Sequence, residues 1–427
     1  MPGRRLARGG RRLAGSRIVR QGSIFAVSNV AVSALAAISS AVLARGLSTS
    51  QFGSYALTLS LLTFTVLFFE FGLFAPASRL AARAEGGSVR EMIGASVLVF
   101  VPIALAFAGT MFALSFFIDG WFNVHAGEAL RLVSPLVVAY PLSALVLQLA
   151  LGVGRLEISS AGAVLTQVLM IALFIAGTAA YGHLTVFQAL LARTVSFLVG
   201  TLVMLVWLRP LFQRVRGRVT TLVKETREYG FNIYVGRVLS VGTYNMDVLM
   251  LGIWSDAREV GLYALAGAIA YTVGLPATGL AAALFPRMSR EGRLDGRWVL
   301  AAAGLGALGV VGVWLAAEPL IRIVVGARYA DAAGLAVVLA LAQAVRGVTA
   351  VYNQFMAATA MGAAMRNASL VLTISNIVLN FALIPPFGAI GAAWASVAAL
   401  VANYIARVYY MRREMREQAE RQPTASK

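Results

Sequence analysis

Residues 367–406 read NASLVLTISNIVLNFALIPPFGAIGAAWASVAALVANYIA, a run without a single charged side chain. A helix needs about 20 apolar residues to cross about 30 Å of hydrocarbon. The run is twice that length, too long for one crossing. Pro385-Pro386 followed by Gly388 divides it, because proline removes an N–H donor and clashes with the preceding turn. Two adjacent membrane spans result, near 366–385 and 390–411.

Working outward, further charge-free runs occupy 21–44, 46–69, 92–118, 132–154, 158–192, 260–286 and 298–317. The hydropathy pattern predicts twelve spans, near 21–45, 52–76, 92–117, 131–153, 158–180, 186–208, 231–253, 259–284, 297–317, 331–358, 366–385 and 390–411. Hydrophobic residues make up 59% of the 427-residue chain and charged residues 13%, against about 25% charge in a soluble protein. Such a chain could not cover its own surface with polar groups, whereas in a bilayer the lipid-facing residues stay apolar. The expected fold class is an all-α integral membrane protein.

The net charge of +18 has a position-dependent meaning. If the N-terminus is cytoplasmic, 27 Lys and Arg fall on the inner side and five on the outer, with four more inside spans. That is the positive-inside pattern, and it places both termini in the cytoplasm. The basic runs sit beside spans and lack interleaved aromatic platforms, which argues against nucleic acid. The first apolar run is too long for a signal-peptide core, so it reads as an uncleaved first helix. The expected organisation is a basic cytoplasmic tail over 1–20, a six-helix half over 21–208, a cytoplasmic linker over 209–230, a second six-helix half over 231–411 and a tail over 412–427. With no cysteine, disulfides, thiolate metal sites and a Cys nucleophile are excluded. His125 and His183 fall in short loops, so no metal-binding constellation and no cofactor is expected.

A repeat supports the division into halves. Residues 52–57 read FGSYAL and residues 260–265 read VGLYAL, placing Gly53 and Gly261 208 positions apart. Gly154 and Gly362 have the same separation, and Pro76-Ala-Ser78-Arg79 is similar to Pro286-Arg-Met-Ser289-Arg290. Six spans separate the copies, so both run the same way through the membrane. Two parallel halves around a central cavity, with substrate near the midplane, are a common transporter plan.

The segment LARGLSTSQFGSYALTLSLL (43–62) resembles the polysaccharide-transporter, Wzx-type oligosaccharide flippases, of the superfamily that also holds the multidrug MATE exporters and the lipid II flippases. The resemblance continues through Asp247-Val-Leu-Met-Leu-Gly252, Val260-Gly-Leu-Tyr263-Ala, Leu284-Phe-Pro286, Gly326-Ala-Arg-Tyr329-Ala, Asn376 to Asn380, and Gly388-Ala-Ile-Gly391. It covers about 20–412. It implies a two-lobed, V-shaped, MATE-like fold in a bacterial plasma membrane. It also implies export of a polyprenyl-diphosphate-linked oligosaccharide for surface polysaccharide, beside a polymerase and glycosyltransferases.

A diphosphate and a hydrophilic glycan lose their water in hydrocarbon. A cationic cleft would replace that solvation, and arginine's planar fork suits phosphate. Charges at membrane depth, which usually face a cavity or a partner, are therefore the candidates. Arg237 and Arg346, within spans seven and ten, are the first candidates for the anionic cargo. Arg45 and Arg193, near outer span ends, are candidates too, with snorkelling to the headgroups as the competing reading. Asp247 in span seven and Glu70 in the inner third of span two are candidates for ion coupling or for structural pairing between helices.

Gly304-Leu-Gly306-Ala-Leu-Gly309 matches a nucleotide fingerprint literally but lies inside a span, where close helix packing explains it. No Walker A motif occurs. Outer loops of about 15 residues leave little room for a catalytic surface, so an enzyme is not expected. The main alternative is a MATE-like drug exporter, whose cavity would be acidic. Four of the six candidate charges here are arginine.

Overall fold

The structure is a computed structural model and describes residues 28, 31–213, 215–230, 234 and 246–421. Arg237, the tail over 1–20 and the starts of the first and seventh predicted spans lie outside the described residues. Among the described residues there is no strand, and the regular structure is helical.

The first half runs through α1 (Ala31–Gly46), α2 (Thr49–Phe68), a short α3 (Phe74–Arg83) and α4 (Gly87–Leu114). Next come α5 (Gly127–Leu136) and α6 (Ala139–Gly152), which meet at 46° around the Pro135 turn, then α7 (Leu156–Tyr181) and α8 (Val186–Leu208). The connecting segment carries α9 (Val215–Glu225). The second half has α10 (Met246–Trp254), α11 (Ala257–Glu291), α12 (Gly296–Leu320), α13 (Ala332–Ala358) and α14 (Gly362–Arg421). Among the described residues, eight helices are long and apolar enough to cross a membrane, or nine if the bent pair is one span.

Sequence chemistry sets several starts. Ser48 and Thr185 each accept from the backbone N–H three residues on, while Gln51 and Gln188 reach back, giving two capping boxes. Asp256 caps α11 through the Glu259 N–H.

The structure corrects one boundary and details two others. The second span ends at Phe68 rather than near 76, because Phe71 and Gly72 take positive φ (44° and 73°) and turn the chain into α3. Glu70 therefore sits in that turn, buried, rather than inside a span. In the 367–406 run the helix continues through Pro385 and Pro386 and breaks at Gly388, where φ is 55°. The break is stabilised from another helix: the Glu259 carboxylate accepts from the Ala389 N–H at 2.8 Å. A Cβ on Gly388 would overlap that carboxylate. Finally, the tail expected from 412 is helical to Arg421.

Three apolar cores define the shape. One joins both halves at a single end, bringing Leu43, Tyr55 and Leu57 together with Leu251, Tyr263 and Tyr329. The second contains first-half residues and the docked α9 alone, such as Phe74, Phe100 and Leu222. The third contains second-half residues alone, such as Ala281, Phe355 and Met411. The halves thus share a core at one end and keep separate cores at the other, which is the V shape of a MATE-like fold.

The shared end is held by the crossing of α2 and α11. A Cβ on Gly53 would overlap the Ala257 carbonyl, and one on Gly261 would overlap the Thr49 carbonyl. Gly53 and Gly261 are the repeat-related pair, so equivalent positions of the two halves meet each other. Small residues at such a crossing let backbones approach closely in lipid. Tyr329 completes the closure. It is fully buried, and its hydroxyl donates to the carbonyls of Leu47 and Ser48, both at 3.2 Å. Burial pushes this phenol's pKa up, so it remains a donor. Arg328 donates to the Arg45 carbonyl at 2.7 Å.

The glycines of the 304–309 stretch lie within α12. A Cβ on Gly306 would press on Ala344 and one on Gly309 on Val273, so the stretch serves helix packing.

Candidate functional site

Two cavities with polar and charged side chains in their walls lie in the two halves, one in each. In the second half, α10, α11, α13 and α14 enclose about 160 Å³ lined by Asp247, Tyr263, Gln343, Arg346, Asn376 and Ser396 among others. Three neutral donors converge on the Asp247 carboxylate. Asn380 Nδ2 donates to Oδ1 at 2.6 Å, and Ser396 Oγ and Tyr263 Oη donate to Oδ2 at 2.6 and 3.1 Å. Asn380 Nδ2 also lies 3.1 Å from Asn376 Oδ1. Asn380 Oδ1 is buried without a hydrogen-bond partner. Asn376 and Asn380 are one helical turn apart on α14, and so face the same way.

In the first half a cavity of about 340 Å³ is lined by Tyr55, Ser39, Ser60, Thr63, Gln167 and Arg193, and Ala264 of α11 reaches it from the other half. Arg193 projects from the second turn of α8. Its Nη1 lies 3.5 Å from Tyr55 Oη and 3.7 Å from Met170 Sδ, and its guanidinium lies 5.2 Å from the Phe197 ring centroid. No carboxylate pairs with it among the described residues. Arg193 Nε, Gln167 Oε1 and Tyr140 Oη are buried without hydrogen-bond partners. The guanidinium is turned inward beside hydroxyls and the Gln167 amide, with its Nε donor unused.

The candidate charges thus separate. Arg193 is turned into the protein rather than snorkelling to its edge. Arg346 and Asp247 share the second-half cavity. Arg45 is exposed at the closed end and lines neither cavity; its backbone carbonyl, not its side chain, engages the other half. Glu70 lies in the turn after α2, near which Tyr234 Oη donates to the Phe68 carbonyl at 3.0 Å. Arg237 is outside the described residues.

Sequence reading overlooked the tyrosines. Tyr55 and Tyr263 occupy equivalent places in FGSYAL and VGLYAL, 208 positions apart. One faces Arg193 and the other faces Asp247. The repeat register alone could have singled them out. It builds two related pockets, one with Arg193 as its charged group and the other with Asp247 beside Arg346.

The comparisons agree with this architecture. The family model for polysaccharide biosynthesis proteins matches residues 18–291. A curated relative, the probable low-salt glycan biosynthesis flippase Agl15 of Haloferax volcanii, is 22% identical over 186 residues. That match covers 41% of this chain and 39% of the relative, so the chain matches about two fifths of that protein's length. Among solved structures, the lipid II flippase MurJ in an inward closed conformation superposes with a TM-score of 0.74 at 14% identity, covering 91% of this chain and 87% of that one. A multidrug resistance MATE family transporter of the MOP superfamily, inward-facing, gives 0.71 at 16% identity, covering 94% and 100%. At such identities the likeness shows the fold, and the fold is that of multi-pass membrane transporters. With the family model matching well over half of its length, this chain belongs to the polysaccharide biosynthesis protein family.

Proposed function

We propose that the protein is a flippase that carries a polyprenyl-diphosphate-linked oligosaccharide from the inner to the outer leaflet for surface polysaccharide. The observation that carries the reading is Arg193. It is a guanidinium with no carboxylate partner among the described residues, in a first-half cavity whose walls combine hydroxyls and the Gln167 amide with apolar side chains and which Ala264 reaches from the other half. A phosphate takes the guanidinium fork, and sugar hydroxyls take Tyr55, Gln167 and the Ser/Thr wall. Arg346, and Arg237 from its place in the sequence, are assigned to the same anionic cargo.

In this reading the open side of the V, with its arginine-rich helix ends, faces the cytoplasm, in keeping with the positive-inside pattern. Cargo enters there while the Gly53–Gly261 crossing and Tyr329 keep the outer end closed. Alternating access then requires that crossing to part. Asp247 serves as the coupling group. Its carboxylate and the spare Asn380 oxygen are hard oxygen donors suited to a proton or a small monovalent cation, and Glu70 is the second candidate for that role.

The test is made in cells carrying Arg193→Ala or Arg346→Ala at normal membrane levels, scoring surface polysaccharide and inner-leaflet lipid-linked precursor. The reading expects polysaccharide to fall and precursor to accumulate. If deletion of the whole gene changes neither, the flippase reading fails and export of cationic drugs through the Asp247 cavity becomes the reading to examine.

A further inference from the structure

At the other end of the first half, away from both cavities, the ends of α3, α4, α6 and α8 surround a hollow of about 370 Å³. Three arginines, Arg90, Arg155 and Arg209, line it, and no carboxylate does. Two of them engage backbone carbonyls. Arg90 Nε donates to the Arg209 carbonyl at 2.8 Å, and Arg155 Nη1 to the Trp207 carbonyl at 3.2 Å. A carbonyl fixes the direction of a guanidinium without cancelling its charge, and it leaves the other N–H donors of the fork unused. Nearby arginines are treated differently: Arg79 pairs with Glu225, and Arg218 with Glu91 at 3.4 Å.

The rest of the lining is mainly apolar, including Ile93, Val153 and Leu208. Trp207 and Phe212, exposed beside it at 45% and 52%, mark headgroup level. The helices α4 and α7 begin at its edge without side-chain caps, and their first N–H groups add positive field.

We propose that this hollow binds the phosphate of an anionic membrane lipid, at a site separate from the cargo path. The shared chemistry is phosphate. The apolar floor selects a lipid over a free ion, because it can take the glycerol and first acyl carbons that inorganic phosphate lacks. None of the hollow's residues lines the Arg193 or Asp247 cavities, so this site stands or falls independently of the flippase reading.

The test is native mass spectrometry of the detergent-purified full chain, titrated with phosphatidylglycerol or phosphatidylcholine. Wild type is compared with the Arg155→Gln/Arg209→Asn double variant and with an Arg293→Gln control on the other half. Asparagine is chosen because Arg209 has φ of 52°, which Asn tolerates. The expected result is selective retention of phosphatidylglycerol, weakened about fivefold per guanidinium removed and unchanged in the control. Millimolar inorganic phosphate should not displace the lipid. Wild-type selectivity in a double variant of unchanged melting temperature would overturn the proposal. Displacement by inorganic phosphate would overturn the lipid assignment in favour of a free anion. Should the double variant melt early, Arg155→Gln alone is compared, and wild-type selectivity there overturns the proposal equally.

Discussion

Arg193 and Asp247 face repeat-equivalent tyrosines with opposite charge, and this contrast yields separate predictions for each. Removing the guanidinium in Arg193→Ala should cut flipping of a diphosphate-linked glycan at least tenfold, on the scale of about 1.5–3 kcal/mol for a hydrogen bond to a charged group. Arg193→Lys should restore only part, because an ammonium is a point charge without the planar fork. Transport measured at matched protein levels checks both. Asp247→Asn keeps the shape of the second-half cavity and removes its charge. It should abolish stimulation by an imposed ion gradient while cargo binding persists, which a gradient-jump assay beside a binding titration would read. These residues were legible as charges at membrane depth. Their partners were not, because the direction of a side chain on a helix that is apolar all round depends on packing against helices distant in the chain. Tyr55 and Asn380 carry no charge to draw notice, and Arg45 was misleading because its contribution is a backbone carbonyl.

The crossing of α2 and α11 is the element that the proposed alternating access would have to part. Gly53→Ala or Gly261→Ala would drive a methyl into a facing carbonyl, an overpacking that costs about 1–3 kcal/mol. The closed end should therefore open more often. Labelling of a cysteine introduced near Thr49 should quicken severalfold, and a rate equal to the parent's would contradict the assigned gate. Tyr329→Phe should act in the same direction but more weakly, since it removes the one hydroxyl donor shared between two carbonyls of the α1–α2 turn without adding bulk. Most helices were legible because charge-free runs of sufficient length have few alternatives in lipid. The exceptions have local causes. The turn at Phe71–Gly72 ends α2 directly after Glu70, a charge that was read as lying inside the span rather than at its end. The break in α14 was legible between 385 and 390; that it falls at Gly388 was not, since the Glu259 carboxylate that accepts from the Ala389 N–H there belongs to another helix.

At the scale of the molecule, one shared core and two private cores make a pair of halves joined at one end. The two-half plan was legible from the repeat. The state of the V was not, since closure at one end depends on contacts between segments two hundred residues apart. The chain contains no cysteine, so site-specific labels can be introduced without first removing native thiols. The most direct measurement reconstitutes the purified protein into liposomes with a fluorescent polyprenyl-diphosphate oligosaccharide in the inner leaflet and follows its exposure to an external membrane-impermeant quencher. The account predicts quenching that depends on the protein, falls at least tenfold in Arg193→Ala and is lost when the diphosphate is replaced by a neutral linkage. Equal exposure with and without protein, in liposomes that do move a cationic dye, would contradict it.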